Sequence, residues 1–485
     1  MFLFFGGILA LIIGYFTYGR FIERLLKPDN RPTPALANND GVDTLPLPQW
    51  KNLLIQLLNI AGVGPVIGVI IGIKFGVKCF WIIPLGCILG GAVHDFISGF
   101  ISLRNGGINL PEQTRRAFGN LYHRIYVFFV AILLLLVVAV FVNIPAKLLA
   151  STLPLPLAPS TLFWLMAGIV FIYYIASTIF PIDLIIGKVY PLFGGLLLVG
   201  SLAMLASLTW HTLSDPTLLT ETAAFTKGMF HDQPVIPCLF VTIACGIISG
   251  FHATQSPIVA RTIRHEREAR LTYYGMMIAE GIIAMIWAAA GMAIYNLYPE
   301  LMSAAPTLAL TRSTEHFLGH TVGLVTIFSV IILAITSGDT ALRSLRLTLA
   351  EHFKLPQAKF TNRVWITLPP ILCTVALLAW SNRSAQSFEW LWKYFAWGNQ
   401  ILSASTLMMC AVWLKRQKEC PWVALIPGTF MTFVVSSFIL WSHPSHAGCP
   451  YGFHLPLPIA YSIAGIFSLL CAVAVWRLGN RPQVD

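Results

Sequence analysis

The chain has 485 residues, 56% of them hydrophobic and only 11% charged, where soluble domains carry about 25% charged residues. That balance excludes a water-soluble enzyme or binding module. The formal net charge is +11, from 31 Lys and Arg against 20 Asp and Glu. A helix crossing the ~30 Å hydrocarbon core takes roughly 20 mostly apolar residues, so the length is nearly used up by a dozen or so spans.

Apolar stretches of that size predict an all-α polytopic membrane protein with about thirteen transmembrane helices. They lie at 1–18, 53–77, 79–101, 124–150, 162–186, 188–209, 235–256, 271–296, 320–345, 363–380, 388–413, 421–441 and 456–477. The first span has no basic region ahead of it and is followed by Arg20, Arg24 and Lys27, which reads as a retained helix with its N-terminus outside rather than a cleaved signal peptide. This topology puts loops such as 19–52, 102–123 and 257–270, and the C-terminal tail, in the cytoplasm. Most Lys and Arg then fall on the inner side, among them Arg261, Arg264, Arg267 and Arg270, as the positive-inside rule requires. The positive charge is thereby assigned to topology and to anionic lipid, and no nucleic-acid partner is expected.

Two spans carry interruptions that a plain lipid anchor avoids, because freed backbone groups in hydrocarbon must face protein or water. The second reads Asn59-Ile60-Ala61-Gly62-Val63-Gly64-Pro65; the seventh reads Ser249-Gly250-Phe251-His252-Ala253-Thr254-Gln255-Ser256-Pro257. They lie five spans apart in helices of opposite direction, the pattern of an inverted-repeat transporter with a midplane site. A five-plus-five repeat follows, 53–209 and 235–413. The helix and loop of 1–52 and the two helices and tail of 421–485 are additions. If the second half-helices restart near Val66 and Ile258, their N-termini offer N–H groups to an anion such as a carboxylate. Asn59, Gly62, Gly64, Ser249, His252, Thr254 and Gln255 are the predicted substrate contacts.

Acidic groups within spans are costly and need a reason. Glu280, set among small residues, and the pair His94-Asp95 are candidates for proton coupling. Asp183 reads as an ion pair with Lys188 near the water interface. Asp339, in Thr336-Ser337-Gly338-Asp339-Thr340, offers oxygens that with Thr336, Ser337 and carbonyls at Ala61 and Gly64 suit a sodium ion; pairing with Arg343 one turn on is the structural alternative. His443, His446, Cys449 and His454 share an irregular loop without paired metal-ligand spacing. No cofactor is expected, only coupling to H+ or Na+.

Several of these stretches resemble the carbon starvation protein A family of bacterial inner-membrane transporters. They are Asn59 to Gly72, Gly90 to Phe96 with Leu103 to Gly107 and Leu110 to Glu112, Ser249 to Pro257, Met277 to Gly281 and Trp287 to Met292, Ile335 to Ala341, and Tyr394 to Gln400. The resemblance implies cation-driven uptake of peptides or pyruvate and a leucine-transporter-type fold related to the amino acid-polyamine-organocation transporters. The expected function is therefore a symporter of the inner membrane importing a small organic nutrient. A membrane nutrient sensor and an intramembrane enzyme are the alternatives; for the latter the chain has no HExxH, Gly-x-Ser-x-Gly or paired Cys-x-x-Cys motif.

Overall fold

In hydrocarbon each backbone polar group must find its partner within the protein, so the apolar runs of this chain close their hydrogen bonds as helices. The computed structural model describes every residue except 154–155, 183–185, 227–232, 244–245, 447–448 and 482–485, and side chains everywhere else but at 186–189, 191, 224, 226, 385–386 and 389. No strand occurs among the described residues.

The helices are α1 (Phe2–Leu26), α2 (Gln49–Ile60), α3 (Gly64–Phe75), α4 (Cys79–Arg104), α5 (Leu110–Phe118), α6 (Asn120–Thr152), α7 (Pro159–Ile179) and α8 (Ile186–Ser214) in the first part of the chain. After the short turns Val235–Leu239 and Phe240–Ile243 come α9 (Gly250–Ala260), α10 (Glu266–Leu297), α11 (Pro306–His352), α12 (Phe360–Ser381), α13 (Ala385–Arg416), α14 (Trp422–Trp441) and α15 (Leu457–Leu478).

Ten helices among the described residues are long and apolar enough to cross a membrane, and eleven spans result when α2 and α3, bent by 52°, count as one. The expected thirteen is thus not reached on these criteria. Of the two spans left over, 235–256 is cut into pieces too short to cross alone, and 388–413 falls within α13, whose sequence carries Glu389, Lys393, Asn399 and Gln400.

One group of helices is built on α4, α9 and α10, with α2 and α3 packed against α10. A second is built on α11, which lies along α6, α7 and α8; α2 touches both groups. Close approach in the first group depends on Gly91, in the wide turn Cys87–Gly91 of α4: a Cβ there would collide with the Ile247 carbonyl and crowd Met277. Such wide turns recur where a helix serves a site. The 47-residue α11 kinks at Gly319, φ 70°, a conformation that L side chains rarely adopt.

Residues 27–48 cross the basic end of the bundle. Leu45 and Leu47 N–H groups donate to the Arg261 and Thr262 carbonyls at 3.1 and 3.0 Å, and the Thr33 hydroxyl donates to the Ile263 carbonyl at 2.7 Å. Asp43 is clamped between Arg343, which also donates to the Ser177 and Phe180 carbonyls, and Arg346, whose Nη2 is 2.7 Å from both carboxylate oxygens. Burial alone would raise the Asp43 pKa, but Arg346 and Arg343 hold the carboxyl well below the usual carboxylate range. Arg104 donates to Glu266 at 3.1 and 3.0 Å, closing the same end.

Candidate functional site

The second span stops being helical at Ala61, φ −74° and ψ 65°, and restarts at Gly64 with Pro65 in its first turn, where a missing N–H costs nothing. The carbonyl of Leu58, in the last turn of α2, accepts from the Thr336 and Ser337 hydroxyls of α11 at 3.2 and 3.1 Å. Carbonyls at a helix end lack intrahelical partners, and these hydroxyls supply them.

In the seventh span the extended residue is Ser249, φ −126° and ψ 124°, and α9 starts at Gly250. The restart expected near Ile258 is therefore corrected: Pro257 lies inside α9. The N-terminus is set from outside, by Asn399 of α13, whose Oδ1 accepts from the Phe251 N–H at 2.7 Å while Nδ2 donates to the Ser249 hydroxyl at 2.8 Å. His252, Thr254 and Gln255 consequently sit in the first turns of a half-helix rather than on unwound backbone. Thr254 Oγ1 donates to the Phe251 carbonyl at 2.6 Å and accepts from Gln255 Nε2 at 2.9 Å.

This shorter break brings together residues that sequence order scatters over three spans. Asp95 of α4 accepts from His94 Nδ1 at 2.7 Å and from His252 Nδ1 at 3.0 Å, one imidazole on each oxygen. On the far side of the same ring, His252 Nε2 lies 3.7 Å from Glu280 Oε2 of α10, within ion-pair range but longer than a hydrogen bond. Asp95, His94 and Glu280 have no exposed surface and His252 has 1%. Buried charges persist only where they are paired, and this carboxylate–imidazole–carboxylate row satisfies that condition with titratable partners.

Around the breaks, several buried polar atoms have no protein hydrogen-bond partner: both amide atoms of Asn59, Gln255 Oε1, Gln400 Nε2, both oxygens of Glu280 and Nε2 of His94. Most buried polar groups in proteins are satisfied, so this concentration fits a place that receives a polar ligand.

Thr336 and Ser337 come to the end of α2, where both meet the Leu58 carbonyl and Ser337 lies beside Gly62, but the Asp339 carboxylate has other partners. Its Oδ2 accepts from the Ser177 hydroxyl of α7 at 3.1 Å, and its Oδ1 is 2.9 Å from the Tyr190 hydroxyl of α8. That hydroxyl is equally 2.9 Å from the Thr336 carbonyl. Arg343 is not its partner; the guanidinium is engaged by Asp43 and the two carbonyls of α7 and its C-terminus. Asp183 lies outside the described residues. No group of three or more His, Cys, Asp or Glu able to hold a metal ion occurs among the described residues, the His443–His454 loop included. Ser177 and Tyr190 carry no mark in the sequence, and Asn399 and Gln400 stand out there only within the resembling stretch Tyr394 to Gln400, as an adjacent amide pair among apolar residues.

The profile of the carbon starvation protein CstA family matches residues 1–190, 160–316 and 304–437. The chain belongs to the CstA family. Among similar proteins, an uncharacterized membrane protein of Haemophilus influenzae is 39% identical over 339 residues, 60% of this chain and 91% of its own length. The Escherichia coli peptide transporter CstA is 25% identical over 559 residues, 87% of this chain and 78% of its own. The Escherichia coli pyruvate/proton symporter BtsT is 26% identical over 379 residues, 64% of this chain and 51% of its own. The chain thus spans about half the length of several named CstA relatives, 48% for that of Helicobacter pylori strain 26695. Among solved structures, an Eremococcus coleocola manganese transporter mutant superposes with a TM-score of 0.56 at 15% identity, covering 91% of this chain and 97% of its own. MhsT in complex with L-phenylalanine does so at 0.53 and 12% identity, covering 90% and 99%. This CstA-family chain is an all-helical, multi-pass membrane protein of the leucine-transporter-type fold.

Proposed function

We propose that the chain is a secondary transporter, a cation-coupled symporter that imports a small organic nutrient, pyruvate or a peptide, across the bacterial inner membrane. The two repeats, 53–209 and 235–413, form the moving parts, with the basic end and the C-terminus in the cytoplasm and the N-terminus outside. The observation that carries the reading is the buried row Asp95–His252–Glu280, which abuts the restart of the seventh span. Substrate sits between the two breaks, against Asn59, the Gly62–Gly64 backbone, Ser249, His252, Thr254 and Gln255. A carboxylate on it faces the half-helix N-termini at Gly64 and Gly250, where positive dipole ends favour negative charge. Proton coupling centres on Glu280 and the His252 ring beside it, with Asp95 and His94 holding that ring in place: a proton taken by Glu280 removes a negative charge beside His252 and changes what that ring can bind.

Sodium coupling is the second reading. It is favoured by the hydroxyls of Thr336 and Ser337 at the α2 end, with carbonyls at Ala61 and Gly64 completing an oxygen site; Asp339 contributes charge from the neighbouring turn. Proteoliposome uptake of labelled pyruvate and a labelled dipeptide, under separate inward proton and sodium gradients, tests all of this. Accumulation of either substrate under one gradient is expected and names the ion; binding of both without accumulation would favour a nutrient sensor.

A further inference from the structure

The row of titratable groups at the seventh break does not treat its members alike. A neutral imidazole carries one N–H, on Nδ1 or on Nε2, and the partner of one nitrogen decides the state of the other. Ionised carboxylate is an acceptor only, so the contacts of Asp95 with His94 Nδ1 and His252 Nδ1 place the hydrogen on Nδ1 in both rings. Each oxygen of Asp95 then holds one donor. The basic atoms left without a donor are Nε2 of His252, Nε2 of His94 and the Glu280 carboxylate. Of these, His252 Nε2 and Glu280 Oε2 face each other across 3.7 Å, while His94 Nε2 has no partner.

The other titratable groups around the row are Cys87 on α4, Tyr273 on α10 and Cys410 on α13. Two of them are committed: Cys87 Sγ donates to the Gly246 carbonyl at 3.4 Å and the Tyr273 hydroxyl to the Ser256 carbonyl at 3.1 Å. From α2 the Ile60 carbonyl, next to the unwound Ala61, lies beside the His252 ring. A hydrogen arriving on Nε2 therefore turns that nitrogen from an acceptor into a donor between Glu280 and the end of α2.

We propose that Asp95 is a positioning residue that locks His252 in the Nδ1–H form, and that the transported proton is shared between His252 Nε2 and Glu280, with Asp95 ionised throughout. His94 is a second clamp on Asp95 rather than a carrier. The step balances simply: Glu280 or Nε2 gains a proton from one side of the membrane and releases it to the other, and no bond to Asp95 Oδ1 or Oδ2 changes hands. The transport part rests on the symporter reading; the tautomer does not.

The test is 15N imidazole NMR on histidine-labelled full-length protein in lipid, with the His252 signal identified by its loss in His252→Gln. The wild type is expected to show neutral His252 protonated on Nδ1. Asp95→Asn offers one oxygen and one NH2 to the two rings, so one of them is expected to give up its Nδ1 hydrogen for Nε2, and the response of uptake to an imposed proton gradient is expected to be abolished while pyruvate or dipeptide counterflow continues. Should Asp95→Asn fail to fold, His94→Gln serves: the His252 tautomer and proton-driven uptake are expected to persist, because the second oxygen of Asp95 still holds His252. A wild-type His252 found in the Nε2–H form, or proton-driven uptake that survives Asp95→Asn or is lost in His94→Gln, would overturn the proposal. Absence of uptake by the wild type would count against the symporter reading alone, since the tautomer measurement needs no substrate.

Discussion

Asp95 and Asp339 are both fully buried in the membrane part of the chain, and they are satisfied by different chemistry. Asp95 meets two imidazoles and, through one of them, a second carboxylate. Asp339 meets hydroxyls, from Ser177 and Tyr190 with Tyr173 beside them, although an arginine stands one turn away on its own helix. Imidazole and carboxylate can gain or lose charge near neutral pH and change partner as they do so; hydroxyls stay neutral there. The difference separates the neighbourhood of the seventh break, where carboxylates and imidazoles meet, from the α7–α8–α11 packing, where a carboxylate ties helices together.

The comparison breaks most sharply at Asp95. Asp95→Ala removes the acceptor of two buried imidazole N–H groups, and each buried donor left without a partner costs about 1–3 kcal/mol. Thermal unfolding of the purified protein should show that loss, with uptake abolished. Glu280→Gln leaves the Asp95–His252 contact in place, so ligand binding should survive while gradient-driven accumulation disappears; vesicles that accumulate normally would remove Glu280 from coupling.

A carboxylate paired with permanent cations provides the control. Asp43→Asn should destabilise by about 2 kcal/mol, in the range for hydrogen bonds to charged groups. Because the folded-state pKa of Asp43 lies below its unfolded value, its contribution is complete above the ordinary carboxylate range and is lost as pH falls through the lowered value. Acid unfolding should therefore distinguish the variant from the wild type at neutral pH and converge only in strong acid. Tyr190→Phe is the smallest change: one hydroxyl with two acceptors within reach, worth about 1 kcal/mol, and uptake should keep its proton dependence.

How much of this was legible depended on whether the signal was local. Gly-x-Gly-Pro and Ser-Gly-Phe-His announced backbone interruptions because glycine and proline act on their own residues. The seventh-span restart was read from Pro257, a local helix-breaker, yet it is fixed by Asn399, about 150 residues away, which no spacing rule links to Ser249. The i,i+4 pairing of Asp339 with Arg343 was the natural helical expectation. It yielded to Asp43, a loop residue that reached Arg343 first in space and last in sequence logic. Ser177 and Tyr190 were invisible for a simpler reason: hydroxyls are common in membrane helices and carry no charge to single them out.

The segment over the basic end has a consequence for how the protein is made. Asp43 leaves the ribosome with neither of its arginines in existence, for Arg343 and Arg346 follow 300 and 303 residues later. At the usual ~5–20 residues per second of synthesis that interval is roughly 15–60 s. For most of it, the Leu45 and Leu47 N–H groups also lack the carbonyls of residues 261 and 262 that they will meet. The early segment must therefore wait undocked beside a half-built bundle, and its docking marks the moment at which the arginine-bearing end of α11 is in place.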